Sequence, residues 1–417
     1  MLLALARLSQ TFSRQRLSTC RHLSGGGEAS FHIGQGGRLS VAMPKATAVV
    51  RVTTEWVDAC RLTISQLPSE PTDFDCSDVG VLGTKKIDLS NLGETGLALE
   101  VDEGLIQLTI AHDQETAATY LVEAVVPELF SVKVVLAHGS VSVAKKLKGD
   151  CEVQLETGNI DVGVVRGEGI LLSTGGGHVH VDELEGNVDI TATADVRARL
   201  INGAKVNIDS AGDDASVTVG SIYSSGARIS SAGSVIVPSC HGRISVHAAG
   251  PAGDVTLSSV NGTAQVVSAV EPHWAGDGDV RLHVDVLEEG TNSRVRSDRG
   301  DIRLSMSQGV TTDIDITGNI SELPSTFEGN IQGCKAVGTI VCAGMGRSPE
   351  SLQGSGGGKI DLAGARDQSL RQYFKKDSTG RGNPTLSVTA SDGSVGVETL
   401  SWADNITRKF TWVPNTP

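Results

Sequence analysis

The chain has 417 residues and a formal net charge of −14, and it is 39% hydrophobic with only seven Phe, four Trp and three Tyr. So small a supply of large rings excludes the usual ring-filled globular core and predicts a narrow interior of Val, Ile, Leu and Ala. The first 27 residues carry Arg7, Arg14, Arg16 and Arg21 and no acid, so the remaining 31 basic and 49 acidic residues leave a body of about −18 that repels phosphate backbones and excludes nucleic acid as the expected partner.

Residues 1–23 come first and read as a mitochondrial transit peptide, being Arg-rich, Ser-rich and free of acid. Leu5, Leu8 and Phe12 fall on one helical face while Arg7 and Arg14 share another. "RHLS" resembles a processing site, with the cut between Leu23 and Ser24 and Arg21 as the third residue before it. The expected address is the mitochondrion, in the matrix. A start at Met43 would give a cytosolic chain. A secretory signal would need a longer apolar run than the roughly six residues present. No run of 18 apolar residues occurs, so no transmembrane helix is expected.

Residues 24–48 are Gly-rich and then read "MPKATAVV", which suggests a linker. Within 49–130, "KIDLSNL", "LALEV", "LIQLTIA" and "YLVEAVV" are strand-like. They are expected to form an N-terminal cap or irregular first coils, since an uncapped repeat array exposes strand edges.

From 131 to 343 a pattern dominates: Gly, a polar residue, Ile or Val, any residue, then Val, Ile or Leu. Eleven copies occur in the chain, nine in this range at 139, 158, 177, 186, 233, 242, 253, 278 and 300, and two beyond it at 358 and 393. The first three lie 19 apart, and 177–186 and 233–242 lie 9 apart. Each copy is a period-2 strand with, for example, Ile160 and Val162 on one face and Asn159 and Asp161 on the other. A half-repeat of 9–10 residues favours an all-β fold of the β-solenoid type, parallel β-helix-like, with two strands in each coil of about 19 residues. About eleven coils at ~4.8 Å each would make a rod about 50 Å long.

The stretch "VPELFSVKVVLAHGSVSVAKKLKGDCEVQLETGNIDV" (126–162) resembles the opening of the adhesin-like domain family, β-repeat domains of unknown function. "SSAGSVIVPSCHGRISV" and the closing "LSVTASDGSVGVETLSW" are similar to an animal member of that family. The resemblance spans roughly 120–345 plus the tail. It implies the fold type, and it transfers no catalytic residue.

Residues 344–384 are rich in Gly, Ser and charge, and read as a loop excursion around one short helix, Ser369 to Lys376. Residues 385–417 return as final strands.

Few residues point to chemistry. His178 and His180 share a strand face, but zinc needs three or four ligands, and neighbouring copies hold Asn159/Asp161 and Asn187/Asp189 in the same slots. They read as outward, variable positions. "GSGGGK" (354–359) lacks the first Gly and the final Ser/Thr of a phosphate-binding loop. "GDGDVRL" (276–282) echoes a calcium-binding nonapeptide that requires tandem copies. Asp279/Arg281 and Asp301/Arg303 read as surface ion pairs. The seven cysteines form no C-x-x-C and read as buried hydrophobes or free thiols. Asn261, Asn319 and Asn405 lie in sequons that matter only in a secreted chain.

The expectation is therefore a non-catalytic interaction scaffold. It has no catalytic, metal or cofactor site, and unknown protein partners dock on a solenoid face. A secreted adhesin-like module and a β-helix carbohydrate-active enzyme are the alternatives.

Overall fold

The computed structural model of the chain describes residues 23–24, 28–32, 36–67, 85–87, 92, 96–102, 104–110, 118–250, 253–268, 278–307, 310, 312–322, 384–400 and 404. These residues are all-β, and their strands join in one continuous hydrogen-bonded sheet.

The N-terminal part contains β1 (Leu23–Ser24), β2 (Glu28–His32), β3 (Arg38–Glu55), β4 (Ala59–Leu67), β5 (Lys85–Lys86), β6 (Leu97–Asp102), β7 (Leu105–Ile110) and β8 (Thr119–Pro127). Pairing at this end is largely antiparallel: β1 with β2, β2 with β4, β4 with β5 and β8, and β6 with β7. Strand structure at this end begins earlier than 49. Residues 38–48, expected in the linker, belong to the 18-residue strand β3. Leu39, Val41 and Met43 alternate inward there and are fully buried. That burial of every second side chain is what makes the segment a strand.

The central part runs through β9 (Ser131–Leu147), β10 (Cys151–Thr157), β11 (Ile160–Thr174), β12 (Val179–Ala192), β13 (Val196–Ser210) and β14 (Val217–Ser231). It continues through β15 (Val235–Val237), β16 (Ser239–Ala248), β17 (Val255–Ser268), β18 (Val280–Leu287), β19 (Asn292–Ser297) and β20 (Ile302–Ser307). All pairing in this region is parallel. Val132 lies against Cys151 and Cys151 against Ile170, while Val141 lies against Ile160 and Ile160 against Val179, all steps of 19. Beyond Val179 the step varies: the register runs Val179, Val196, Val217, Val235, Val255, Val280, Ile302. The longest step, from Val255 to Val280, spans residues 269–277, which lie outside the described set.

Ten of the eleven pattern copies lie in described residues, and in all ten both apolar positions are buried. The copy at 358, the helix expected at 369–376 and the excursion 344–384 fall outside the described residues. One cluster of buried side chains extends from Ala29 to Val397. It is mostly aliphatic, with Phe31, Tyr120 and Phe130 as its rings, which accounts for the aromatic-poor composition.

Corners of the repeat depend on small residues. Gly139 and Gly158 stack with φ of 132° and 128°. A Cβ on Gly158 would overlap the Gly139 carbonyl, so only glycine meets both demands. On a second edge Thr174, Ser210 and Ser231 are buried, and their hydroxyls donate to the carbonyls of Gly158, Ala194 and Ala215 at 2.7, 2.9 and 2.7 Å. Each turn thereby satisfies a backbone acceptor that burial would otherwise leave unpaired.

Both ends depart from sequence order. Strands β8 and β9 follow one another with three residues between, yet β3 lies between them, parallel to both. At the other end β22 (Thr385–Leu400) inserts between the β19/β20 level and β21 (Asp313–Glu322).

Candidate functional site

Outward side chains form rows that run across the repeats. Lys133 pairs with Glu152 at 2.7 Å, and Arg166 Nη2 with Glu183 at 2.9 Å. His178 and His180 are both exposed. The backbone N–H of His178 donates to Asn159 Oδ1 at 3.0 Å, and His180 Nδ1 lies 3.3 Å from Asp161. Among the described residues no group of three or more His, Cys, Asp or Glu is placed to hold a metal ion.

A recurrent acidic cap was not legible in the sequence. Asp254 Oδ1 accepts the backbone N–H of Asp279, Asp279 Oδ1 accepts that of Asp301, and Asp301 Oδ1 accepts that of Ser394, at 2.8, 3.0 and 2.8 Å. The carboxylates of Asp279 and Asp301, expected in ion pairs with Arg281 and Arg303, therefore act as caps. Each precedes its strand at a corner, where a short side chain spans the distance to the next strand's N–H. Asp195 repeats the motif on Ser216: burial pushes its carboxyl up, but the Ser216 N–H and hydroxyl, with Arg197, outweigh it and hold the group low.

Of the remaining candidates, Leu23 and Ser24 lie in β1 against Ala29 and Glu28. Residues 354–359 and Asn405 lie outside the described set, as do 276–277 of the glycine–aspartate stretch. Cys60, Cys151 and Cys240 are buried free thiols pushed up to about 12 by that burial, and are poor nucleophiles for that reason.

Two places offer more than surface pairing. In the first, Tyr223 of β14 is 44% exposed and its ring lies flat on His241 of β16, with centroids 4.5 Å apart and planes within 1°. Strand register continues this row to the half-buried Asn261 and the exposed Val286. A shallow cavity of about 700 Å³ lies beside His241, Asn261 and Val286, with Arg243 and Glu288 at its rim.

In the second, β18 and β20 place His283 beside Ser305 and Arg281 beside Arg303. His283 is 6% exposed and Ser305 7%. Ser305 Oγ lies 2.8 Å from His283 Nδ1. His283 Nε2 lies 3.2 Å from both Asp285 Oδ1 and Ser307 Oγ. Ser307 Oγ donates to Asp285 Oδ1 at 2.7 Å, and Ser259 Oγ donates to Asp285 Oδ2. Arg281, His283, Arg303, Ser305 and Glu398 line a cavity of about 720 Å³ reached also by Asp301 and Ser394. Sequence reasoning missed this cluster. "HVD" at 283–285 and "SMS" at 305–307 become partners only through a 22-residue register step.

The sequence matches no family model and no curated protein.

Proposed function

We propose that the chain is a β-solenoid of the adhesin-like repeat type that serves as an interaction scaffold in mitochondria, imported through residues 1–23 and cut between Leu23 and Ser24. One observation carries the solenoid reading. Equivalent positions from Val141 to Ile302 meet in parallel register while the pattern's apolar pairs stay inward. A stack of that kind leaves long flat rows outside, the geometry by which repeat proteins bind partners without a deep pocket. The stacked Tyr223–His241 pair is the best anchor on such a row, since exposed aromatic rings contribute disproportionately to interfaces. The address rests on the acid-free, arginine-bearing N-terminus.

The test is the location and mature N-terminus of the untagged protein in protease-treated mitochondria. A protected chain beginning at Ser24 supports the reading, and an uncleaved, unprotected chain overturns the address. Glycan on Asn261, Asn319 or Asn405 would instead favour a secreted adhesin-like module. A second reading, an enzyme on a β-helix frame, draws support from the convergence of Arg281, Arg303, His283 and Glu398 at one cavity.

A further inference from the structure

We propose that Ser305 is an activated nucleophile with His283 as its general base and Asp285 as the residue that positions the base, forming an acyl-transfer site for a carboxylic ester with polar flanks. The inference goes beyond the scaffold reading and stands apart from it, and it departs from the expectation of a chain without catalytic residues.

The proton positions follow from counting donors. Ser307 has one hydroxyl proton, and Asp285 Oδ1 takes it at 2.7 Å. Toward His283 Nε2, therefore, Ser307 and Asp285 both present acceptors, and Nε2 must carry the ring proton. A neutral imidazole then leaves Nδ1 as an acceptor, and the group 2.8 Å from it is the Ser305 hydroxyl. The relay runs from Ser305 Oγ–H to Nδ1, and from Nε2–H to the Asp285 carboxylate. Asp285 is itself held by Ser259 on its other oxygen. This is the logic of a serine–base–carboxylate triad, assembled from the two neighbouring strands β18 and β20 with Ser259 of β17 behind it, with the two ring nitrogens in exchanged roles.

In the reaction, Ser305 Oγ bonds to the ester carbonyl carbon as its proton moves to Nδ1. That proton then passes to the leaving alcohol oxygen as the C–O bond breaks. Water, deprotonated by Nδ1, next releases the acid and restores Ser305. Ser305 and His283 both reach the 720 Å³ cavity, so a small acyl group has room beside them. Two arginines and Glu398 on the same lining favour a polar substrate over a long alkyl chain.

The full chain is treated with a fluorophosphonate, which captures activated serines: the Ser305 Oγ–P bond forms, the P–F bond breaks, fluoride leaves and the proton goes to His283 and then to buffer. The expected result is one adduct by intact mass, mapped to Ser305, formed faster as pH rises, as capture assisted by a general base requires. It is absent after heat unfolding and absent in Ser305→Ala. His283→Gln slows it about a hundredfold or more, while Asp285→Asn slows it with Ser305 still the site. No adduct on the native chain, an adduct elsewhere, or a rate independent of pH overturns the proposal. The pH profile belongs to the wild type, so the test survives a His283 variant that fails to fold.

Discussion

Asp301 and Ser394 lie 93 positions apart in the chain, and both the backbone N–H and the hydroxyl of Ser394 donate to Asp301 Oδ1 at 2.8 Å. The pair fastens the inserted strand β22 to β20. The two Ser394 hydrogen bonds hold the Asp301 carboxyl below its ordinary value.

A lowered folded value means that this contribution to stability is complete above the unfolded value, about 3.9. It is lost as pH falls through the folded value. Protection of the Ser394 amide from exchange, relative to its intrinsic rate, should therefore fall as pH drops from about 4 through that folded value. Asp301→Ala should exchange fast at every pH and cost about 1 kcal/mol at neutral pH, since the carboxylate is partly screened by solvent.

Gly158→Ala should be among the most damaging single substitutions. It combines a φ of 128° with a Cβ placed on the Gly139 carbonyl, and no flexible side chain can move aside. A loss above about 2 kcal/mol is expected, read as a lowered thermal midpoint. An unchanged midpoint would mean that the corner stacking is looser than described.

Ile208 and Asn207 are neighbours with opposite roles. Ile208 is fully buried in the aliphatic core, and Ile208→Ala should cost about 2–5 kcal/mol. Asn207 points outward and donates to Asp189 at 3.1 Å; Asn207→Ala should cost less than about 0.5 kcal/mol. Denaturant melts of the two variants compare them directly, and similar losses would contradict the assigned faces.

Cys60, Cys151 and Cys240 should resist alkylation in the native chain at pH 8, because burial raises each thiol to about 12. Denaturant should release all three to an alkylating reagent, which peptide mapping can follow. Fast native labelling of Cys151 would show that its strand opens.

What the sequence made legible is what a single repeat determines. Period-2 alternation placed Ile160, Val162, Val179, Val181, Val280 and Leu282 inward, and all are buried. The glycine before each copy marked the corners. Contacts between repeats were not legible, because they depend on a register that wanders once the step leaves 19. His283 meets Ser305, and Asp279 caps Asp301, only at the step found between Val280 and Ile302. The strand character of 38–48 was signalled by Leu39, Val41 and Met43, but the glycines before them masked it. That β3 and β22 insert between sequence neighbours leaves no local pattern at all.

The insertion of β22 also sets a timetable. During synthesis β21 is complete at residue 322, but the strand that separates it from β20 begins only at residue 385. At about 5–20 residues per second, the gap between β20 and β21 stays open for several seconds after both edges exist. Until β22 arrives, the unpaired N–H and C=O groups of β20 are available to any extended chain nearby. A protein built this way stays vulnerable after both edges have been made, and a segment synthesised long after them decides whether the gap closes.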